Sequence, residues 1–182
     1  MTRQSFSLIP FSIQDTPDLT INGQVTRRGN TFYIRYVLAV NLESVTLPAL
    51  SATPARKDEL WRTTCFEFFV AIKNMPQYWE FNLSSSGDWN VYVMDAYRQV
   101  GMREETRIKR LPFKVQKEKE ADILSLEVAI NLDAIIAREK SIEVGVASVI
   151  QTKNGKETYW ALLHPRPEAD FHARESFVFE FQ

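Results

Sequence analysis

The stretch Tyr78-Trp79-Glu80-Phe81-Asn82-Leu83 alternates large apolar side chains with polar ones. A period of two puts Trp79, Phe81 and Leu83 on one face of an extended strand and excludes a helix, whose faces repeat every three to four residues. Ser84, Ser85, Ser86, Gly87 and Asp88 follow as a turn cluster: serine and aspartate bond local backbone, and glycine accepts positive φ. Trp89 to Met94 then reads as a second strand, with Trp89, Val91 and Val93 on one side and Asn90, Tyr92 and Met94 on the other. Both of its faces carry bulk, as an inner strand of a sandwich requires. Tyr78–Met102 is therefore read as a β-hairpin around which the rest must pack, with Trp79 in the core.

The same period recurs along the chain. Phe6 to Phe11 reads as a first strand, and Leu19 to Arg27 joins Thr31 to Val40 through an Arg28-Gly29-Asn30 turn. In the second of these, Phe32, Ile34, Tyr36 and Leu38 share a face. Further strands are expected over Thr64–Ile72, Arg107–Lys114, Ile123–Leu132, Ser141–Gln151, Glu157–Leu163 and Phe177–Phe181, with Lys153-Asn154-Gly155-Lys156 as a tight turn. Residues 41–60, with Pro48 and Pro54, read as a long connection, of the kind that carries function or moves. Asn131 to Arg138 is the one helix candidate, with Asn131 or Asp133 near its start and Arg138 near its end. Many short strands with hardly any helix predict an all-β fold, an antiparallel β-sandwich or jelly roll with one short helix, formed as a single domain over residues 1–182.

Charge narrows the function. Lys and Arg number 22 against 23 Asp and Glu, with no long run of one sign, so nothing points to nucleic acid or an anionic membrane. No apolar run is long enough to span a bilayer, and MTRQSFSLIPF lacks the apolar core of a secretion signal. The expectation is a cytoplasmic protein. The lone Cys65 sits in a strand pattern and reads as a buried, inert thiol.

Three groups of residues together carry a resemblance. They are Leu60-Trp61 with Thr64-Cys65-Phe66-Glu67-Phe68-Phe69; Tyr78-Trp79-Glu80-Phe81-Asn82-Leu83-Ser84 with Gly87-Asp88-Trp89-Asn90; and Tyr159-Trp160-Ala161-Leu162 with His164-Pro165 and Asp170-Phe171-His172. From about Leu60 onward the chain resembles a DOMON-like domain of the type 9 carbohydrate-binding-module class. The resemblance implies a jelly-roll sandwich whose relatives bind sugars, or in some branches haem, usually without catalysis. Such relatives are commonly secreted, and the missing signal is a departure from that pattern.

Sugar recognition needs flat aromatic faces for the C–H patches of a pyranose and planar or charged groups for its hydroxyls. Trp61, Trp89 and Trp160 are candidate faces, and Glu67, Asn82, Arg98 and His164 candidate hydrogen-bonding groups. Against this stands the ordinary fate of large aromatics, which is burial. Glu67, a charge amid apolar residues, must pair inside with Arg98 or Arg62 or look into a cleft. His164 and His172 flank Glu168 and Asp170, but the spacing matches no metal motif, so no metal is assigned. Haem would need an axial pair, such as His164 or His172 with Met75, Met94 or Met102, and no cofactor is assigned either.

No phosphate loop or nucleophile elbow is present, and Glu67 with Glu80 is the obvious carboxylate pair for glycoside hydrolysis. The sequence thus predicts a non-catalytic module for a carbohydrate or similar polar small ligand. Its rival is a scaffold sandwich that meets a protein partner through a sheet face or edge. Exposure of Trp61, Trp89 and Trp160 separates the two.

Overall fold

A computed structural model of the chain describes residues 3–14, 16–98 and 101–182. Among these, the first sheet takes β1 (Arg3–Ser7), β3 (Leu19–Arg28), β4 (Thr31–Val40), β9 (Phe113–Glu118) and β10 (Ile123–Asn131), in the order β1-β3-β4-β10-β9. The second takes β2 (Ile9–Pro10), β5 (Cys65–Ile72), β6 (Tyr78–Ser84), β7 (Trp89–Met94), β8 (Arg103–Glu104), β11 (Ile142–Gln151) and β12 (Glu157–Ala161), in the order β2-β12-β11-β5-β6-β7-β8. β13 (Phe179–Phe181) pairs with the first half of β11, beyond the end of β12. All these strand pairs are antiparallel, and the fold is a β-sandwich.

Alternation decides what lies between the sheets. Phe32, Ile34, Tyr36 and Leu38 of β4 face Phe66, Phe68 and Val70 of β5 and Trp79, Phe81 and Leu83 of β6 in one buried cluster. The Phe68 and Phe81 rings stack at 4.3 Å, opposite one another in the β5–β6 register. The Tyr36 hydroxyl spans the layers to donate to the Glu67 carbonyl at 2.7 Å.

The β3–β4 hairpin turns at Gly29 and Asn30, one residue later than the alternation suggests, with Gly29 at φ 59°. The expected first strand is split, β1 pairing with β3 in one sheet and β2 with β12 in the other. The strand expected over Arg107–Lys114 lies instead at Phe113–Glu118.

The helix expected over Asn131–Arg138 is absent. Asn131 ends β10, and the described residues contain only two 3-10 turns, Leu60–Arg62 and Arg174–Ser176. A helical start is made, since the Ile136 N–H bonds the Leu132 carbonyl at 2.8 Å. Side chains from the β3–β4 hairpin then claim the backbone. Asn30 Nδ2 donates to the Ile136 carbonyl, and Arg27 donates to the carbonyls of Arg138 and Lys140. So short a segment cannot repay helix nucleation alone, and Leu132, Ile135 and Ile136 are instead buried in the core.

Candidate functional site

The outer face of the second sheet is also covered. Register places Cys65, Glu67 and Phe69 of β5 beside Ser84, Asn82 and Glu80 of β6, and Tyr92 of β7 opposite Glu80. Two segments cover this face and form the walls of a cleft of about 460 Å³. Its lining includes Trp61, Met102, Tyr159 and Phe171 above Glu67 and Glu80, with Arg98, Asp170 and His172 along one side.

The long connection supplies the first wall. It is laced to the β6–β7 hairpin: Arg56 donates to Asn90 Oδ1 and the Ile108 carbonyl, each at 2.6 Å, with its guanidinium 4.4 Å from the Trp89 ring centre. Lys57 pairs with the buried Asp88 at 2.7 Å, and the Tyr92 hydroxyl donates to Asp58. These bonds deliver Trp61, half-buried, edge-on to Tyr92 at 5.5 Å. The loop is thus a built wall.

Asp170 organises the second. Its buried carboxylate accepts the Tyr97 hydroxyl at 2.5 Å and the His172 backbone N–H at 3.0 Å, and Arg98 Nε lies 3.4 Å away. The His172 ring stands with Nδ1 2.9 Å from the Tyr78 hydroxyl and Nε2 3.9 Å from Glu80 Oε2. Phe171 packs edge-on against Tyr159 of β12 at 6.2 Å.

The floor is unusual. Glu80 is 5% exposed and accepts Asn82 Nδ2 at 2.7 Å, with His172 on its other side. Glu67 is 3% exposed, lines the cleft, and its carboxylate has no hydrogen-bond or ion-pair partner among the described residues. Burial, and then the neighbouring Glu80 charge, hold the Glu67 carboxyl well above the usual carboxylate range. Glu80 is raised too, by burial, although His172 and the Asn82 amide pull the other way. The adjacent Cys65 thiol is fully buried and raised by burial and by both carboxylates, which makes it inert.

Of the residues singled out from sequence, the cleft gathers Trp61, Glu67 and Arg98. Neither pairing expected for Glu67 is made, since Arg98 turns to Asp170 and Arg62 to Glu59. Asn82 is completely buried beneath the floor and positions Glu80. Trp89 and Trp160 are corrected to core residues, at 6% and 4% exposure, because alternation turns both toward the first sheet. The Trp160 indole N–H is satisfied by Thr158 Oγ1 at 3.0 Å. His164 lies outside the cleft lining, with Nε2 3.0 Å from the Ile9 carbonyl and its ring edge-on to Phe11. Asp170, Phe171 and Tyr159 join the lining without being among the site residues expected from sequence. Tyr159 was accessible in principle, since its alternation with Trp160 puts one of the two on each face.

Haem fits poorly. Met102 and His172 share the lining, but the two nitrogens of His172 face Tyr78 and Glu80, and two carboxylates occupy the floor where a macrocycle would need an apolar seat. Among the described residues no group of three or more His, Cys, Asp or Glu is placed to hold a metal ion, and no helix is long and apolar enough to cross a membrane.

No protein-family model matches the chain, and no curated protein matches it. Among solved structures it is similar to a "putative carbohydrate-binding protein" from Bacteroides uniformis, with TM-score 0.69 at 14% sequence identity, over 95% of this chain and 83% of that one. At that identity the likeness shows a common fold.

Proposed function

We propose that the chain is a non-catalytic module that binds a carbohydrate in the cleft on the outer face of its second sheet. The observation that carries this reading is Glu67, a carboxylate 3% exposed that opens on the floor of an aromatic-walled cleft and has no partner among the described residues. Folding does not leave such a group unpaired without cost, and a ligand bearing hydrogen-bond donors satisfies it. Trp61, Tyr159 and Phe171 offer faces and edges to the apolar side of a sugar ring, while Glu67, Glu80, Arg98 and His172 offer acceptors and donors to its hydroxyls. The fold likeness to a protein named for carbohydrate binding supports the same ligand class. The narrower assignment, to the DOMON-like, type 9 class, rests on the sequence motifs, while action as one domain in the cytoplasm rests on chain length and on the lack of a long apolar segment in the sequence.

Tryptophan fluorescence tests it, because Trp61 lines the cleft while Trp79, Trp89 and Trp160 are buried in the core. A panel of mono- and oligosaccharides is expected to give a saturable shift with one sugar class, lost in Trp61→Ala. No shift with any sugar, together with no release of reducing sugar, overturns the reading. Release of reducing sugar that disappears in Glu67→Gln would replace it with a hydrolase.

A further inference from the structure

The charges around the cleft do not balance. Arg98 is held by Asp170 and, at 4.0 Å, by Glu168. Glu157, at the rim, takes the Tyr159 hydroxyl at 2.9 Å. His172 is placed between Tyr78 and Glu80. Among the described residues Glu67 is left with no positive group, and Glu80 has one neutral amide and a histidine. A neutral sugar can donate hydroxyls to this floor but cannot supply a charge. An ammonium group can, and aromatic walls favour it through the negative faces of their rings. Trp61, Tyr159 and Phe171 line the same cleft as the two glutamates.

Resting on the carbohydrate reading above, we infer that the ligand is an amino sugar, a pyranose carrying a protonated primary amine that is received by Glu67 and Glu80 between the aromatic walls. The amine donates to the Glu67 carboxylate, which the protein leaves open, and its charge meets both glutamates at once. Burial makes this interaction stronger than a surface ion pair and less sensitive to salt.

The test uses matched ligands that differ only at C2: the β-1,4-linked tetramers of glucosamine, N-acetylglucosamine and glucose, together with galactosamine, N-acetylgalactosamine and galactose. Binding to the full chain is read by Trp61 fluorescence and by calorimetry. At least one amine is expected to bind ten-fold or more tightly than its acetylated and hydroxyl counterparts. Glu67→Gln, its fold confirmed by thermal melting, is expected to abolish that preference while still binding the neutral sugar weakly. Equal binding of the amine and neutral ligands, or a preference that survives in Glu67→Gln, overturns the amino-sugar inference and leaves the carbohydrate module standing. No binding by any of the six overturns the amino-sugar inference, and silence across the wider sugar panel then removes the carbohydrate reading as well.

Discussion

Glu67 and Glu80 lie on the same outer face of adjacent strands, set diagonally: Glu67 is opposite Asn82, and Glu80 is two residues along from Asn82. Diagonal neighbours on a sheet are near enough for long side chains to interact. The Asn82 amide donates to Glu80 and not to Glu67, so among the described residues one carboxylate is held and the other is open. This asymmetry makes the floor a receptive surface.

Glu67→Gln is expected to stabilise the free protein. It keeps the shape of the side chain and removes a buried charge that has no partner among the described residues, for a gain of about 1–2 kcal/mol near pH 8. In a chain of this size each kcal/mol is worth roughly 2–4 °C in Tm. The gain depends on pH. The folded-state Glu67 carboxyl is raised above its unfolded value, so the native state holds the proton longer and stability falls as pH rises between the two. Below the unfolded value, variant and parent should melt together. Glu80 titrates on the same floor, facing His172, with Arg98 and Asp170 on the wall, so flattening the pH profile fully is expected to need Glu80→Gln as well. Thermal melts from pH 4 to pH 8 check both statements.

The tryptophans are expected to divide. Trp61→Ala removes a half-buried ring whose aromatic contact is Tyr92, and should cost less than about 1 kcal/mol while abolishing ligand-induced fluorescence change. Trp160→Ala empties a packed site between the sheets and should cost about 3–5 kcal/mol. Urea denaturation separates them. Equal losses would mean that Trp61 is part of the core.

Tyr36→Phe removes the hydroxyl that crosses the core to the Glu67 carbonyl, and nothing else. A loss of about 1 kcal/mol is expected by urea denaturation, since one neutral hydrogen bond is given up and the ring stays packed.

How far the sequence was legible follows from these same residues. Period two put Trp79, Phe81 and Leu83 on one face, with Trp79 in the core, and Phe32, Ile34, Tyr36 and Leu38 on one face of their own strand, because a strand face is a local property; that the two faces meet is seen only in the fold. Alternation also holds at Trp89 and Trp160, but it says only that two faces differ. Which face meets the other sheet depends on pairings such as Ser148 with Phe66, which join residues far apart in the chain. The long connection gave no sign that Arg56, Lys57 and Asp58 would tie it to the β6–β7 hairpin, since each is an ordinary surface charge until its partner is known. Glu67 was the exception. One charge in an apolar strand is anomalous in any register, and it left two readings, a partner inside or a cleft, of which the fold puts Glu67 on the cleft lining.

A second glutamate sets the opposite limb of the pH profile. Glu105 accepts the Trp79 indole N–H at 3.0 Å and two bonds from the Arg107 guanidinium, at 2.9 and 2.6 Å. Burial pushes its carboxyl up, but Arg107, Trp79 and the Arg107 backbone N–H overcome this and bring it down to about 2. A depressed folded-state value contributes stability that is fully present above the unfolded range near pH 4.5 and is lost as pH falls toward 2. Glu105→Gln is therefore expected to destabilise the protein at neutral pH and to match the parent near pH 2. Glu67 and Glu80 act in the other direction, lowering stability as pH rises above the ordinary carboxylate range. Together they set two opposing limbs, Glu105 losing its contribution as pH falls and the floor carboxylates lowering stability as pH rises, with the stability maximum between them. In Glu67→Gln/Glu80→Gln the maximum is expected to broaden toward neutral pH, and in Glu105→Gln the acid limb should flatten. A parent profile that rises steadily from pH 5 to pH 8 would show that the floor carboxylates are not buried as described.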